Sequence, residues 1–127
     1  MPKHKYNFGD LEQAIMNVIW RRDAVTVRDV VDELQHRPVA YTTVMTVMNR
    51  LAKHRVLKRQ PNGNGAFRYQ SRLTRQAFAA EATRVAIDDL VHRYGAVAMA
   101  QFINRLDRVP PEKLSALRRQ VKRDHIQ

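Results

Sequence analysis

The first half of the chain carries apolar residues at helical spacing in consecutive segments. The first segment follows Asp10, with Gln13 in the capping-box position, and its apolar stripe is Leu11, Ile15, Val18 and Ile19. It predicts a helix over residues 11–22. The second segment follows Thr26, with Asp29 in the corresponding position, and its stripe is Val27, Val30, Val31 and Leu34. It predicts a shorter helix that ends before the next proline.

A third segment, after Pro38, combines an apolar stripe with a distinctive polar face. The stripe consists of Val44, Val47, Met48 and Leu51. The opposite face collects hydrogen-bonding, methyl-bearing and cationic side chains: Thr42, Thr43, Met45, Thr46, Asn49, Arg50 and Lys53. Such side chains contact base edges and phosphates in a DNA major groove. The pattern predicts a helix whose exposed face binds a partner.

The spacing then changes from helical to alternating. Residues 56–60 and 66–71 alternate in the manner of strands, and Asn62-Gly63 and Asn64-Gly65 between them tolerate positive φ, so this part predicts a β-hairpin. Three helices followed by a basic hairpin is the order of a winged helix-turn-helix.

The remaining chain predicts three amphipathic helices, with Gly95 ending the first and Pro110-Pro111 preceding the third. Their apolar positions include Phe78, Val85, Leu90, Val91, Phe102, Ile103, Leu106, Leu114 and Leu117. Helices of this size make a poor core alone, so we expect these residues to pair with a second copy. The predicted fold is mainly α, with a winged-helix DNA-binding domain over 1–73 and a helical dimerisation domain over 74–127.

Charge strengthens the expectation of a nucleic-acid partner. The 47 residues from Leu34 to Ala80 contain no Asp or Glu. They contain nine Lys or Arg residues: Arg37, Arg50, Lys53, Arg55, Lys58, Arg59, Arg68, Arg72 and Arg75. A surface that only faces solvent normally carries both positive and negative side chains. The polar face of the third helix and the Lys and Arg residues of the hairpin could still be such a surface. One-sided charge in a folded segment favours binding of a polyanion.

Composition argues against several other classes. The chain has no cysteine, and its five histidines, His4, His36, His54, His92 and His125, lack metal-ligand spacing. Asp88 and Asp89 are adjacent, so on a helix they point about 100° apart, which does not suit an acid–base pair. No apolar run approaches the roughly 20 residues of a membrane span. We therefore predict a cytoplasmic protein that is not an enzyme, needs no metal or cofactor and does not insert into membranes.

These segments together resemble the BlaI and MecI family of penicillinase repressors. The resemblance covers nearly the whole chain and includes LEQAIMNVIW, TVRDVVDEL, AYTTVMTVMNRLAKH and FRYQS. It implies a cytoplasmic homodimer that represses β-lactamase or related genes by covering a two-fold operator, often with a TACA/TGTA core. A copper-sensing branch of the family uses a C-terminal cysteine tail, which the absence of cysteine excludes here.

The resemblance also implies site residues. The recognition-helix face falls on Tyr41, Thr42, Thr43, Met45, Thr46, Asn49 and Arg50, and the wing falls on residues 61–65 between Arg59 and Arg68. In this family a membrane-bound sensor protease typically releases the repressor by cleavage. The cleavage point maps onto Gln101–Phe102, where Gln replaces the Asn of the staphylococcal members.

The side chains suggest how DNA would be recognised. Arg50, Lys53, Lys58, Arg59 and Arg68 would neutralise phosphates. The amide of Asn49 could pair with adenine, and the Thr and Met methyl groups could pack on thymine. Two alternatives are a small-molecule-responsive regulator of the MarR type and a basic nucleic-acid-binding protein without sequence preference. An aromatic content of only 7% counts against the second alternative.

Overall fold

The computed structural model describes the backbone of residues 6–126 and the side chains of residues 6–123. The elements within that range are α1 (Asp10–Arg22), α2 (Val27–Glu33), α3 (Tyr41–Lys53), β1 (Leu57–Pro61), β2 (Phe67–Ser71), α4 (Arg75–Tyr94), α5 (Ala96–Leu106) and α6 (Pro111–Ile126). Contacts divide the chain into one compact unit that ends at Thr83 and a second that begins at Arg84. The described helices include none that is both long and apolar enough to cross a membrane.

The first two helices begin differently. The expected cap at Asp10 is wrong: Gly9 precedes α1 in an extended conformation, and its N–H donates to Glu12 Oε1 at 3.1 Å. The cap of α2 is confirmed, because Thr26 N–H donates to Asp29 Oδ2 at 3.0 Å and Asp29 N–H donates to Thr26 Oγ1 at 3.1 Å. The hydrogen bond from the Thr26 backbone lowers the pKa of the Asp29 carboxyl.

The apolar stripes of α1, α2 and α3 meet in one core together with residues of the hairpin. Its members are Ile15, Met16, Val18, Ile19, Val25, Val27, Val30, Leu34, Val44, Val47, Met48, Leu51, Val56, Leu57, Tyr69 and Phe78. All four positions of the predicted α3 stripe are buried. Burial of this stripe fixes the rotation of α3 and leaves its polar face toward solvent.

The hairpin has the predicted location. Strands β1 and β2 are antiparallel, with Arg59 opposite Tyr69. The turn between them uses Gly63 and Gly65 at φ values of +84° and +85°, which glycine adopts without the steric cost of a Cβ. The backbone of Tyr69 also exchanges two hydrogen bonds with Val25, at 2.7 and 3.0 Å. This bridge ties β2 to the segment between α1 and α2.

The start of α4 belongs to the N-terminal unit. The Phe78 ring lies 4.8 Å from that of Phe8, 5.1 Å from that of Tyr6 and 5.2 Å from that of Trp20, measured between centroids. The expectation that Phe78 pairs with a second copy is therefore wrong, because its ring is part of the core of its own chain. For the same reason the unit extends past residue 73, the predicted boundary, to Thr83.

The C-terminal unit exposes much of its apolar surface. Among the described residues of this unit, only Ala98 is classed as buried. Its exposed large apolar side chains are Ile87, Leu90, Tyr94, Val97, Met99, Ile103, Leu106, Leu117 and Val121. As predicted, Gly95 ends α4, where it adopts a φ of +56° and its N–H donates to Val91 O.

Candidate nucleic-acid interface

The exposed face of α3 contains the residues expected to contact DNA. Tyr41, Thr42, Thr43, Thr46, Arg50 and Lys53 are exposed, whereas Met45 and Asn49 are half-buried. Thr46 Oγ1 donates to Thr42 O at 2.8 Å, so its methyl group and its lone pairs remain for an incoming ligand. This face offers methyl groups, hydroxyls and cations from one rigid helix.

Helix α2 adds a cation that the sequence did not single out. The guanidinium of Arg28 lies 4.8 Å from the centroid of the Tyr41 ring, within the range of a cation–π contact. Arg28 belongs to a helix that also contains acidic residues, so charge counting along the chain gave no signal for it. Only the packing of α2 against α3 places Arg28 beside the exposed face of α3.

The Lys and Arg side chains between residues 34 and 80 are not neutralised by any carboxylate that the structure describes. Salt bridges among the described side chains include those of Arg21 and Arg22 with Glu33, of Arg84 with Asp88 and of Arg93 with Asp89. Within the described part of the chain, no Lys or Arg between residues 34 and 80 forms a salt bridge. The charge on this surface is therefore free to attract a polyanion.

Arg59 is held on the side of the hairpin that faces α3. Its guanidinium lies 4.0 Å from the centroid of the Phe67 ring, and its NH1 donates to Asn49 Oδ1 at 3.1 Å. One donor is therefore used inside the protein, and the other N–H groups of the guanidinium remain for an anion. The sequence identified Arg59 as a cation but gave no signal for these two contacts.

Asn49 joins α3 to both strands of the hairpin. Besides the bond from Arg59, its Oδ1 accepts a hydrogen bond from the Tyr69 hydroxyl at 2.5 Å. Tyr69 is only 2% exposed, so its hydroxyl requires a partner inside the protein. No sequence pattern marked Tyr69 as a neighbour of the α3 surface, because its contact with Asn49 depends on how the hairpin packs against α3.

Arg68 lies on β2, and its side chain forms hydrogen bonds with the hairpin turn and with the segment before α2. Its Nε donates to Asn62 Oδ1 at 2.8 Å and its NH1 donates to Ala24 O at 3.4 Å.

An open cleft of about 380 Å³ lies between α3 and the hairpin. It is lined by Asn49, Ala52, Lys53, Leu57, Lys58, Arg59 and Arg72. Four of these residues are cationic, so an anion that contacts α3 and the hairpin together would meet positive charge from both elements.

Apart from Phe78, the residues expected to form other sites lie in the C-terminal unit. Gln101 is exposed and Phe102 is half-buried, and both lie inside helix α5. Among the residues proposed for dimerisation, Leu90, Ile103, Leu106 and Leu117 are exposed, whereas Val85, Val91, Phe102 and Leu114 are half-buried. Among the described residues, no group of three His, Asp or Glu side chains could hold a metal ion.

Comparison with known proteins decides the family. The family model for the penicillinase repressor matches residues 8–123, which is nearly the whole chain. The chain belongs to the penicillinase repressor family. Its fold, with a winged-helix N-terminal part and a helical C-terminal part, agrees with this membership. The family makes the chain a transcriptional regulator and not an enzyme.

Individual members of the penicillinase repressor family are also similar to this chain. The transcriptional regulator BlaI of Mycobacterium tuberculosis, in two strains, is 36% identical over 114 residues, which cover 87% of this chain and 80% of the relative. The solution structure of the DNA-binding domain of the repressor BlaI matches 60% of this chain and 93% of its own length, with 25% identity and a TM-score of 0.51. The structural match supports assignment of the winged-helix part to DNA binding.

Proposed function

We propose that this chain is a cytoplasmic, homodimeric transcriptional repressor that binds an inverted-repeat operator through α3 and the hairpin. The principal support is the surface formed by these two elements, whose cations have no acidic partner among the described residues. Because the chain belongs to a family of repressors, we expect its contact with DNA to regulate transcription. Genes of the β-lactam response, or related genes, are the proposed targets.

On DNA, α3 would lie in the major groove. Thr42, Thr43, Met45 and Thr46 would select bases through hydroxyl and methyl contacts, with Tyr41 at the start of the helix. Arg50, Lys53, Arg59 and Arg68 would contact phosphates, and Asn49 belongs to the same surface. A recognition helix alone covers only a few base pairs, so a second copy is needed to define a complete operator.

The C-terminal unit supplies a surface for that second copy. Clusters of exposed apolar side chains commonly mark interaction sites. Helices α4, α5 and α6 each carry such side chains, and examples are Leu90, Ile103, Leu106 and Leu117. A two-fold dimer would place two α3 helices on successive major grooves of one DNA face. The two half-sites would then be inverted, with centres about 10 bp apart or a multiple of that distance.

Release from DNA would follow cleavage between Gln101 and Phe102 by a membrane-bound sensor protease. The support is the position of this bond in α5, within the unit that is proposed to join the two copies. Cleavage would separate α6 and half of α5 from the rest of the chain. The dimer would weaken, and with it the binding of the operator.

Selection from a pool of randomised duplexes tests the function, because it requires no assumed operator sequence. The purified chain should enrich duplexes with two inverted half-sites, and binding should weaken steeply as salt increases. A variant with Thr42, Thr43 and Thr46 changed to Ala should still bind DNA but enrich no common sequence. Failure of the unchanged chain to enrich any sequence would instead favour a non-specific nucleic-acid-binding protein.

A further inference from the structure

We infer that Asn49 is a positioning residue that couples the hairpin to the recognition helix and aims Arg59 at DNA, rather than a residue that reads a base. This inference rests on the proposed DNA-binding function. It assigns to Asn49 a role that differs from the adenine contact expected from the sequence, where its amide on the exposed side of α3 suggested base recognition.

The hairpin register brings the two donors to one acceptor. Arg59 and Tyr69 are directly opposite each other in the antiparallel pair, so their side chains project from the same face of the hairpin. Both side chains end on Asn49 Oδ1, at 3.1 Å and 2.5 Å. A single oxygen on α3 therefore fixes one residue from each strand of the hairpin.

These bonds compete with adenine recognition. A carbonyl oxygen has two lone pairs, and Asn49 Oδ1 already accepts two hydrogen bonds. A bidentate contact with adenine needs the same oxygen to accept from the N6 amino group. Forming that contact would displace one of the two donors: either Arg59 would lose the bond that orients it, or the hydroxyl of the buried Tyr69 would lose its partner, which is costly.

Arg59 gains a defined orientation from this arrangement. The Phe67 ring lies against its guanidinium, and Asn49 holds one of its NH groups. An arginine restrained at two points loses less conformational freedom when it binds a phosphate than a mobile one does. Without Asn49, Arg59 would still be present but would lose the bond that orients it relative to α3.

A double-mutant cycle at Asn49 and Arg59 tests this coupling. Binding of the full-length chain is measured with a duplex that contains the inverted TACA/TGTA repeat and with a scrambled duplex of equal length and composition, at several salt concentrations. We expect Arg59→Ala to weaken binding to both duplexes on the order of tenfold, through loss of a charged hydrogen bond. Asn49→Ala should weaken binding to both duplexes in the same direction, by a smaller factor.

The double variant gives the decisive comparison. If Asn49 acts through Arg59, the double variant should bind within about twofold of Arg59→Ala alone, because the two losses are not additive. The salt dependence should likewise change no further once Arg59 is absent. Additive losses, or a loss for Asn49→Ala that is confined to one base position of the repeat, would overturn the inference.

Two controls separate positioning from folding and from base reading. Thermal unfolding of each variant shows whether the fold survives, and a loss of stability with unchanged salt dependence of binding would contradict the inference. Thr43→Ala, on the same helix face, should affect the repeat but leave the scrambled duplex nearly unchanged. If Asn49→Ala does not fold, Asn49→Leu replaces it in the cycle, because leucine has a similar volume but no acceptor oxygen; an equal loss with and without Arg59 would then overturn the inference.

Different experimental results would contradict the positioning role of Asn49 and the proposed repressor function. A chain that prefers neither this repeat nor any duplex in the selection would count against a sequence-specific repressor, but the cycle on the scrambled duplex would still measure the coupling of Asn49 and Arg59. Conversely, additive losses on a chain that prefers the repeat would remove the positioning role and leave the repressor in place.

Discussion

At the residue scale, the sequence predicted which side chains of α3 are exposed but not the hydrogen bonds that they form. The rotation of α3 followed from its apolar stripe, so the exposure of Thr42, Thr43 and Arg50 could be predicted. The bonds of Asn49 could not, because they depend on the packing of a hairpin that lies later in the chain. A residue type suited to base recognition is therefore not sufficient evidence that it reads a base.

Arg50 provides a test of phosphate binding by α3. Its side chain is exposed and forms no hydrogen bond or ion pair within the described part of the chain. If it neutralises one phosphate, Arg50→Ala should reduce the slope of log binding constant against log salt by about 0.9. Fluorescence anisotropy over a salt series measures that slope. Lys113→Ala removes an exposed charge from α6 as the control, and an equal change in both variants would contradict a specific role for Arg50.

At the scale of elements, local signals predicted most helices and the hairpin. The cap of α2 and the glycines of the turn were recognisable because their chemistry involves neighbours in sequence. The role of Phe78 was not, since its ring packs against Tyr6, Phe8 and Trp20, which precede it by many residues. An apolar position in an amphipathic helix does not by itself show whether it faces its own chain or a second one.

The cap of α2 makes the stability of the N-terminal unit depend on pH. The pKa of Asp29 is lowered in the folded chain, mainly by the Thr26 backbone N–H, so the carboxylate stabilises the fold above the unfolded carboxyl pKa of about 3.9. That stabilisation is lost as the pH falls through the lowered value. Asp29→Asn should therefore cost up to about 1 kcal/mol at neutral pH and less as the pH decreases below about 4. Denaturant unfolding across pH measures the difference; a constant difference would contradict this account.

The turn after α1 stores strain that a substitution can remove. Asp23 adopts φ 76° and ψ −78°, and Ala24 N–H donates to Arg22 O at 3.1 Å, which together form a strained γ-turn. Asp23→Gly should stabilise the N-terminal unit by up to about 1 kcal/mol, because glycine adopts this conformation without a Cβ clash. Asp23→Ala removes the charge but keeps the Cβ, so it serves as the control. Thermal unfolding should show no gain for Ala, and an equal gain for both would attribute the effect to charge.

At the scale of the whole molecule, the proposal requires two copies on one operator. The N-terminal unit offers the surface that is proposed to bind DNA, and the C-terminal unit exposes apolar side chains on all its helices. Composition and helical pattern predicted the cationic surface of the first unit and the apolar helix positions of the second. The arrangement of the two copies depends on contacts between chains, for which a single sequence contains no periodic signal.

Ile103 provides a test of self-association. It is 60% exposed on α5, so a charge there should leave the fold intact while preventing apolar contact with a second copy. Ile103→Asp is expected to shift the chain toward monomer in analytical ultracentrifugation and to weaken operator binding. Gln35→Asp places the same charge at an exposed position of the N-terminal unit and should leave the dimer unchanged. A dimer that survives Ile103→Asp would place the interface elsewhere.

Helical phasing of the operator tests the central claim most directly. The two half-sites enriched by selection are separated by increasing lengths of spacer, and binding is measured for each duplex with the full-length chain. A dimer that places two α3 helices in successive major grooves should lose cooperative binding when about half a helical turn (5 bp) is inserted and regain part of it after a full turn of about 10 bp. Binding that is independent of spacer length, with one chain per half-site, would contradict the account.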